Sequence, residues 1–235
     1  MNKSLTLEDY QAGQVILIDK PLNWTSFQVV NKVRWLIKQQ FKIKKIKVGH
    51  AGTLDPLATG LLILCTGKFT KQIETYQAQH KEYTGTITLG ATTPSYDLET
   101  EIDNTFDILE INEAQILENT KQFVGEIDQR PPVFSALKKE GKRLYEYARA
   151  GETVEVPTRK ITISEFDITS IDMPDAHFRV ACSKGTYIRS LAHDFGATLN
   201  NGAHLSALRR TKIGDFSVDN AISIEAFEDL IKAQD

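Results

Sequence analysis

The order of apolar and polar residues in the first part of the chain predicts a strand followed by a helix. The apolar run from Gln14 to Ile18 is stopped by a proline, which is typical of a strand that ends in a turn. Thr25 and Gln28 have the spacing of a capping box, in which two residues satisfy backbone amides at the start of a helix. Apolar residues then recur at helical intervals as far as about Gln40, namely Phe27, Val30, Val33 and Ile37. We therefore expect an amphipathic helix after the first strand, and a loosely held polar segment over residues 1–12 before it.

Two other patterns predict strands of different kinds. The continuous apolar run from Leu61 to Thr66 fits a strand that is buried on both faces. From Tyr83 to Leu89, threonines alternate with other residues, which is the period of a half-buried strand. In that strand Tyr83 is expected to point in the same direction as Ile87 and Leu89.

The remaining patterns complete an α+β protein. Helices are expected over Phe69–Ala78, over Asn112–Phe123, from Ile188 to a stop at Gly196, as a short turn over His204–Arg209, and from about Ser223. Strands are expected over Ile161–Ile171 and over His177–Ser183, the second with Phe178, Val180 and Cys182 on one face. Strands and helices interleave without regular βαβ spacing, and no linker divides the chain. We therefore predict a single α+β domain over residues 1–235, with a mixed, mostly antiparallel sheet flanked by helices.

Composition places the chain among ordinary globular proteins. Hydrophobic residues make up 41% and charged residues 25% of its 235 residues, which excludes the disordered and fibrous classes. No apolar stretch of roughly 18 residues could span a bilayer, and the first ten residues are too polar for a signal peptide, so we expect a cytoplasmic protein. The two cysteines, Cys65 and Cys182, both lie in apolar runs and are expected to be reduced core residues.

Charge is segregated along the chain. The formal net charge is -3, which argues mildly against a protein that holds nucleic acid by bulk charge. Basic residues nevertheless cluster in three places, Lys38–Lys47, Lys138–Arg149 and Arg209–Lys212. Acidic residues concentrate in Asp97–Glu118 and in the last dozen residues. From the pattern alone, the basic clusters fit a solvated surface as well as they fit an RNA-facing patch.

The segment Gly49–Gly60 is the best candidate for a site of chemistry. It contains three glycines and one aspartate, Asp55, next to Pro56. Glycines allow the close approach of a ligand, and the proline biases Asp55 towards an extended backbone. Asp55 with Pro56 could also simply start a turn, with the carboxylate bound to nearby amides. Spacing alone leaves both interpretations open.

The sequence GHAGTLDPLATGLLILCTG, residues 49–67, closely resembles the signature of the TruB family of pseudouridine synthases. The resemblance extends from about residue 13 to about residue 220. Its further motifs are Asp19-Lys20-Pro21, Lys81-Glu82-Tyr83, Tyr145-Glu146-Tyr147-Ala148-Arg149, Lys184-Gly185-Thr186-Tyr187-Ile188-Arg189-Ser190-Leu191 and Leu208-Arg209-Arg210-Thr211. It implies the pseudouridine synthase fold and the isomerisation of uridine to pseudouridine at position 55, in the T loop of tRNA.

The resemblance also implies catalytic roles for three residues. Asp55 matches the essential catalytic aspartate, which acts as a nucleophile or as an acid/base group. Arg189 matches the arginine that pairs with this aspartate and favours its ionised form. Tyr83 matches an aromatic residue that contacts the flipped base and that could serve as a base. From pattern alone, Tyr83 fits core packing and Arg189 fits a surface charge equally well.

Four further residues are implied in substrate binding. His50 resembles the histidine that enters the RNA loop where the base had stacked, because the enzyme has to flip the base out of the folded RNA. Tyr187 matches the second aromatic residue on the base, and Leu208 an apolar residue of the uracil pocket. Lys20 belongs to a matched motif and is assigned to the same group. Without the resemblance, His50 fits a surface position and Leu208 a core position.

The segment around 123–157 has no clean period and looks like an insertion. By resemblance it corresponds to the mobile, thumb-like element that closes over the T arm of tRNA, and its interleaved basic and aromatic residues suit contacts with phosphates and bases. Family members commonly carry a further C-terminal domain of the PUA type, which we do not expect in this chain. By resemblance, the reaction needs no metal and no cofactor. We expect a monomer whose partner is tRNA and which does not bind a membrane.

Three rival functions compete with the synthase, and the match of Asp55 together with Tyr187 and Arg189 favours the enzyme. An RNA-binding or RNA-folding module would keep the basic and aromatic residues but would not need Asp55. A glycoside hydrolase would normally need a second carboxylate, and none occurs in the matched motifs. A guide-directed relative within a ribonucleoprotein would be expected to carry basic tails and an extra domain.

Overall fold

A computed structural model describes residues 5–135, 137–139 and 141–233 of the chain. These form two compact units. The first unit contains the chain up to Glu82 and from Arg209 onwards, and the second contains Tyr83–Leu208. The expected single domain over 1–235 stays a prediction. The first four and last two residues of that range lie outside the described residues, as do Ala136 and Glu140 of the predicted insertion.

The first unit is built on strands with helices against them. Its helices are α1 (Leu7–Ala12), α2 (Ser26–Gln40), α3 (Ile73–Ala78) and α7 (Ile224–Lys232), with 3-10 turns at Gly67–Gln72 and Val218–Asn220. Its strands are β1 (Val15–Lys20), β2 (Val48–His50), β3 (Ala58–Thr66) and β13 (Phe216–Ser217). The unit also contains the first two residues of β4 (Lys81–Leu89) and the part of β12 (Ala203–Ile213) from Arg209 onwards. β1 and β2 both pair with β3 in antiparallel register, and β12 follows β3 in the sheet.

Helix α2 begins where the capping box predicts. The Thr25 hydroxyl accepts a hydrogen bond from the Gln28 amide, and the Gln28 side chain accepts one from the Thr25 amide at 2.7 Å. The buried face of the helix includes Val30, Val33 and Ile37 as expected, and it packs with α7 and β1 in one core. Phe27 was wrongly included in that face, because it lies in the first turn and its side chain is 63% exposed.

The N-terminal segment is more ordered than its polar sequence suggests. Residues Leu7–Ala12 form α1, which begins with a capping box between Thr6 and Asp9. Tyr10 anchors the helix, because its side chain is only 1% exposed and its ring packs against Phe41. The prediction of a loosely held lead-in is therefore wrong for residues 7–12.

The second unit has its own strands and helices. Its helices are α4 (Glu113–Asn119), α5 (Leu144–Arg149) and α6 (Ile188–Thr198), with a 3-10 turn at Thr120–Phe123. Its strands, besides most of β4 and the start of β12, are β5 (Ala91–Thr92), β6 (Asn104–Thr105), β7 (Gly125–Gln129), β8 (Lys138–Lys139), β9 (Lys142–Arg143), β10 (Arg159–Asp172) and β11 (Asp175–Cys182). The strand order is β12, β4, β11, β10, β7, and β10 is antiparallel to both of its neighbours.

The apolar faces of this unit meet as the period-two patterns predict. On β4, Tyr83, Ile87 and Leu89 are all buried. On β11, Phe178 is buried together with Val180 and Cys182, and its ring meets that of Phe166 edge to face. The mixed, mostly antiparallel sheet flanked by helices is confirmed, and both cysteines are buried and form no disulfide.

Two predicted features near the end of the chain are wrong. Residues 204–209 belong to strand β12, which lies beside β4 in the sheet, and the Leu205 amide donates to the Tyr96 carbonyl at 2.9 Å. Leu205 and Leu208 only imitate helical spacing. Helix α6 does not stop at Gly196 but runs on to Thr198. Gly196 is required for packing, since a Cβ there would lie 2.5 Å from the backbone nitrogen of Ala203.

Within the described ranges, we find no helix that is both long enough and apolar enough to cross a membrane.

Candidate active site

Asp55 lies in the loop between β2 and β3 of the first unit, half-buried. The loop turns tightly at this point, because the Ala58 amide donates to the Asp55 carbonyl at 3.1 Å. The carbonyl of the next residue, Pro56, accepts a hydrogen bond from the Asn23 amide at 2.8 Å. The backbone on the C-terminal side of Asp55 is therefore fixed from two directions.

On the other side of Asp55, the backbone of Leu54 is held by Ser26, the first residue of α2. The Ser26 hydroxyl accepts from the Leu54 amide at 2.8 Å and donates to its carbonyl at 3.1 Å. Both residues are buried. A buried polar group without a partner is costly, so this pair of hydrogen bonds stabilises the loop as well as orienting it.

Lys20, at the end of β1, has a fully buried side chain in the same region. Its ammonium donates to the carbonyls of Trp24 at 2.6 Å and Pro21 at 2.8 Å, and it lies 3.5 Å from the Pro56 carbonyl. Burial lowers the pKa of Lys20 to about 8, and the charge of Asp55 opposes this shift while Arg210 adds to it. The ammonium thus ties β1 to the loop and lies within electrostatic reach of the candidate carboxylate.

Arg210, on β12, is the largest fully buried side chain of this unit, and it holds the loop by hydrogen bonds to its backbone. It donates to the carbonyls of Leu61 at 2.8 Å, Gly52 at 3.1 Å and Thr53 at 3.4 Å. Its own backbone passes so close to Gly60 that a Cβ there would lie 2.3 Å from the Arg210 carbonyl oxygen. Gly60 also has φ +103°, so the site requires glycine on two grounds.

His50 ends β2 and is half-buried. Burial lowers its pKa, and the positive charge of Arg210 lowers it further, against a hydrogen bond with the Gly52 backbone that raises it. The imidazole is therefore neutral at pH 7. Its Nδ1 atom is buried and has no hydrogen-bond partner among the described residues.

In the second unit, Tyr187 is the residue that caps α6. The side-chain amide of Gln129 holds its backbone at both ends: it donates to the Tyr187 carbonyl at 3.0 Å and accepts from the Tyr187 amide at 2.8 Å. The guanidinium of Arg159 lies over the Tyr187 ring, 5.2 Å from its centre. The ring is therefore presented by a rigid backbone.

Arg189, two residues further on, is buried, at 5% exposure. It donates to the carbonyls of Phe134 at 2.9 Å and Ser95 at 3.2 Å, and its Nε lies 3.6 Å from a carboxylate oxygen of Asp97. These three contacts hold the guanidinium in one position. Its predicted pairing with Asp55 stays a prediction.

Comparison with known families decides the class of protein. The model described as "TruB family pseudouridylate synthase (N terminal domain)" matches residues 38–188, and the model described as "tRNA pseudouridylate synthase B C-terminal domain" matches residues 189–235. The chain belongs to the TruB family of pseudouridylate synthases.

Similar proteins are found in bacteria. A tRNA pseudouridine synthase B of Flavobacterium johnsoniae is 64% identical over 97% of this chain and 100% of its own length. One of Phocaeicola vulgatus is 51% identical over 97% of each chain. The identity at this coverage agrees with the family assignment.

Solved structures carry the same fold. A chain of a Cbf5-Nop10-Gar1 complex is 32% identical over 94% of this chain, with a TM-score of 0.69. A chain of an H/ACA RNP bound to a substrate RNA that contains 2'-deoxyuridine is 29% identical over 97%, with a TM-score of 0.68. This chain spans 54% and 59% of those two chains. The pseudouridine synthase fold implied by the TruB resemblance is confirmed.

The structure brings the expected TruB residues together in two groups. In the first unit, the charge of Arg210 acts on both Lys20 and His50, and its guanidinium holds the loop that carries Asp55. The sequence had not indicated Arg210 as a loop anchor. In the second unit, Tyr187 and Arg189 share the start of α6. Tyr83 is buried at the start of the unit on β4, and Leu208 is half-buried on the neighbouring strand β12.

Asp97 is the acidic residue that the sequence interpretation missed. It is the first member of the run Asp97–Glu118, which looked like one solvated acidic segment, yet it is buried and faces Arg189. Ser95 and Thr93 both donate to its carbonyl. The weak signal available was the proline and the hydroxyl residues just before it, which indicate a turn.

The described residues contain no cluster of three or more His, Cys, Asp or Glu that could hold a metal.

Proposed function

We propose that this protein isomerises uridine to pseudouridine at position 55, in the T loop of tRNA, with Asp55 as its catalytic carboxylate. Membership of the TruB family and the names of its close relatives support the reaction and the RNA class. The observation that carries the role of Asp55 is its loop: Ser26, Lys20 and Arg210 fix the backbone on both sides of this one carboxylate. Preorganised groups of this kind are what catalysis requires.

The reaction breaks the bond between C1' of the ribose and N1 of the base, and forms a bond between C1' and C5. The C5 hydrogen leaves, and N1 gains a proton, so the product is an isomer of the substrate. Asp55 serves either as a nucleophile or as an acid/base group in these steps. Nothing in the bond changes requires a metal or a redox cofactor, and we expect none.

The other assignments follow the family pattern. Tyr83 and Tyr187 are assigned to the flipped base, where stacking on an aromatic ring contributes about 1–3 kcal/mol. Arg189 is assigned to keep the catalytic aspartate ionised, and Leu208 to line the uracil pocket. Because its imidazole is neutral, His50 can enter the RNA loop without carrying a charge into the base stack. Lys20 is assigned to the substrate group, and its contacts with loop carbonyls support an indirect role there.

The T stem-loop is the expected partner, with the segment around 123–157 as the element that closes on it. In this segment the guanidinium groups of Arg143 and Arg149 lie over the ring of Tyr145, and the Lys142 ammonium over that of Tyr147. Because these pairs are partly exposed, they can exchange their own contacts for phosphates and bases. A monomeric state and a cytoplasmic location stay predictions.

Tritium release tests the proposal directly. With tRNA labelled at C5 of uridine, we expect the wild-type protein to release one tritium per tRNA, and Asp55→Asn to release none while binding tRNA with a Kd within about threefold of wild type. Asp215→Asn, an exposed aspartate of the same unit, is the matched control and should retain full turnover. Turnover by Asp55→Asn would remove this residue from the catalytic role.

A further inference from the structure

A groove of about 730 Å³ on the first unit is lined by cations and by no acidic residue. Arg34 contributes from α2, together with six lysines: Lys38, Lys44, Lys45, Lys47, Lys68 and Lys71. These lysines come from the end of α2, from the segment that joins α2 to β2, and from the 3-10 turn after β3. The fold therefore brings together two stretches of basic residues that are distant in sequence.

The concentration of charge is unusual for this protein. The chain as a whole carries a net charge of -3, yet the groove holds seven formal positive charges. Elsewhere, the exposed Lys121, Lys160 and Lys232 are each bound to a glutamate. In the part of the chain that the structure describes, none of the six groove lysines forms an ion pair. Uncompensated like charges oppose folding, so a ligand that neutralises them fits the groove better than water alone.

The groove lies at the far end of β3 from the catalytic loop. The strand has nine residues, with Asp55 three positions before its start and Gly67, which lines the groove, directly after its end. At about 3.3 Å per residue, the length of β3 places roughly 26 Å between the catalytic loop and the groove. A ligand in the groove is therefore not in contact with the target base.

The chemistry of the lining identifies the kind of ligand. Lysine ammonium groups bind phosphates as point charges, without reading the bases. No aromatic residue lines the groove, so it offers no platform on which unpaired bases could stack. We propose that this groove binds the phosphate backbone of a helical stem of the substrate RNA that lies outside the T arm. This inference rests on the proposed function, because it takes its RNA from there.

A comparison of two RNAs tests the groove. The variant Lys45→Gln/Lys68→Gln/Lys71→Gln removes three exposed charges from both walls, and Lys121→Gln/Lys160→Gln/Lys232→Gln removes three exposed charges elsewhere as the matched control. Filter binding over a series of salt concentrations gives the Kd of each for whole unmodified tRNA and for the isolated T-arm hairpin of the same sequence. Thermal unfolding checks that both triple variants are folded.

We expect the groove variant to bind whole tRNA about 10-fold or more weakly than wild type, and to lower the slope of log Kd against log salt by roughly two to three. Its Kd for the hairpin should change less than twofold, and the control should alter neither RNA. Equal losses for both RNAs, or a loss no larger than that of the control, would overturn the proposal. So would equal affinities of the wild-type protein for tRNA and hairpin.

Single-turnover tritium release at saturating RNA separates this inference from the proposed function. The groove variant should release tritium at the wild-type rate, because the groove is remote from the chemistry. If the wild-type protein released no tritium from either RNA, the proposed function would fail, while the binding comparison would still decide whether the groove holds RNA.

Discussion

The Ser26 hydroxyl forms two hydrogen bonds with the backbone of Leu54, one to its amide at 2.8 Å and one to its carbonyl at 3.1 Å. One side chain at the start of α2 thus satisfies both polar groups of the residue before Asp55. The direction in which the chain enters Asp55 depends on this contact. Without it, two buried backbone groups would lose a partner at once.

Ser26→Ala should therefore destabilise the protein by about 1–3 kcal/mol, the penalty for unsatisfied buried polar groups. Turnover should fall at least 10-fold with little change in the Kd for tRNA, because the loop carries the carboxylate and not the main RNA contacts. Urea unfolding and single-turnover tritium release measure the two effects. Ser164→Ala, an exposed serine, is the control and should stay within about 0.5 kcal/mol of wild type.

Arg210→Met should raise the pKa of His50 towards its ordinary value. The guanidinium is the second cause of the lowered His50 pKa, after burial, so part of the shift should remain. NMR titration of the imidazole measures the change. Arg209→Met is the matched control, because the Arg209 guanidinium is bound to both oxygens of the Asp19 carboxylate, at 3.0 and 2.6 Å. A His50 pKa that rose equally in both variants would contradict the assigned cause.

Gly60→Ala should be among the most destabilising single substitutions in the first unit. The new Cβ would lie 2.3 Å from the Arg210 carbonyl oxygen, and the backbone has φ +103°. We expect a loss above about 3 kcal/mol, as for a severe clash in a packed region. Gly125→Ala separates the two causes, because Gly125 has φ +110° but no atom within 4 Å of the added Cβ. That variant should lose only about 1–2 kcal/mol from backbone strain.

Gln129→Met should loosen Tyr187 without removing its ring. Gln129 is 1% exposed and is bound to both backbone groups of Tyr187, so the loss should be about 1–3 kcal/mol in urea unfolding. If Tyr187 contacts the base, kcat/KM should fall at least 10-fold under conditions where the variant is folded. The exposed Gln122→Met is the control. Unchanged kcat/KM in a folded Gln129→Met protein would argue against a role for Tyr187.

Asp194→Asn should stabilise the protein at neutral pH. Burial raises the pKa of Asp194 to about 6 from an ordinary value of 3.8, against the opposing charge of Arg130. Between those pH values the folded state binds the proton better than the unfolded state does, so stability falls as pH rises from about 4 to 6. At pH 7.5 the variant should be more stable than wild type by roughly 1–2 kcal/mol. The difference should disappear near pH 4, and a difference independent of pH would contradict this account.

Local sequence signals were most reliable where a short segment contains all of its own information. The Thr25–Gln28 capping box starts α2 at the expected residue, and the helix expected from about Ser223 begins with the Ser223 hydroxyl bound to the Ala226 amide. The period-two pattern of β4 gave the correct buried face. In both helices the hydrogen-bond partner lies within three residues along the chain, and in β4 the alternation is itself a local pattern.

Errors occurred where distant residues decide the conformation. The segment 204–209 has apolar residues at helical spacing, but it is part of strand β12, which lies beside β4 in the sheet and is therefore extended. Gly196 looked like a helix stop and is instead a point of close packing against Ala203. Asp97 looked like one of many solvated acids until the fold placed it beside Arg189.

The sequence by itself determined the family, the loop that carries Asp55 and most of the strands and helices, because these depend on motifs and on local periodicity. Only the tertiary structure decided what holds that loop in place. Lys20, Ser26 and Arg210 come from three elements, and their hydrogen bonds to the loop join residues 28 to 158 positions apart along the chain. The basic groove likewise needed the fold, since charges from α2 and from the turn after β3 act together only once the chain has brought them to one surface.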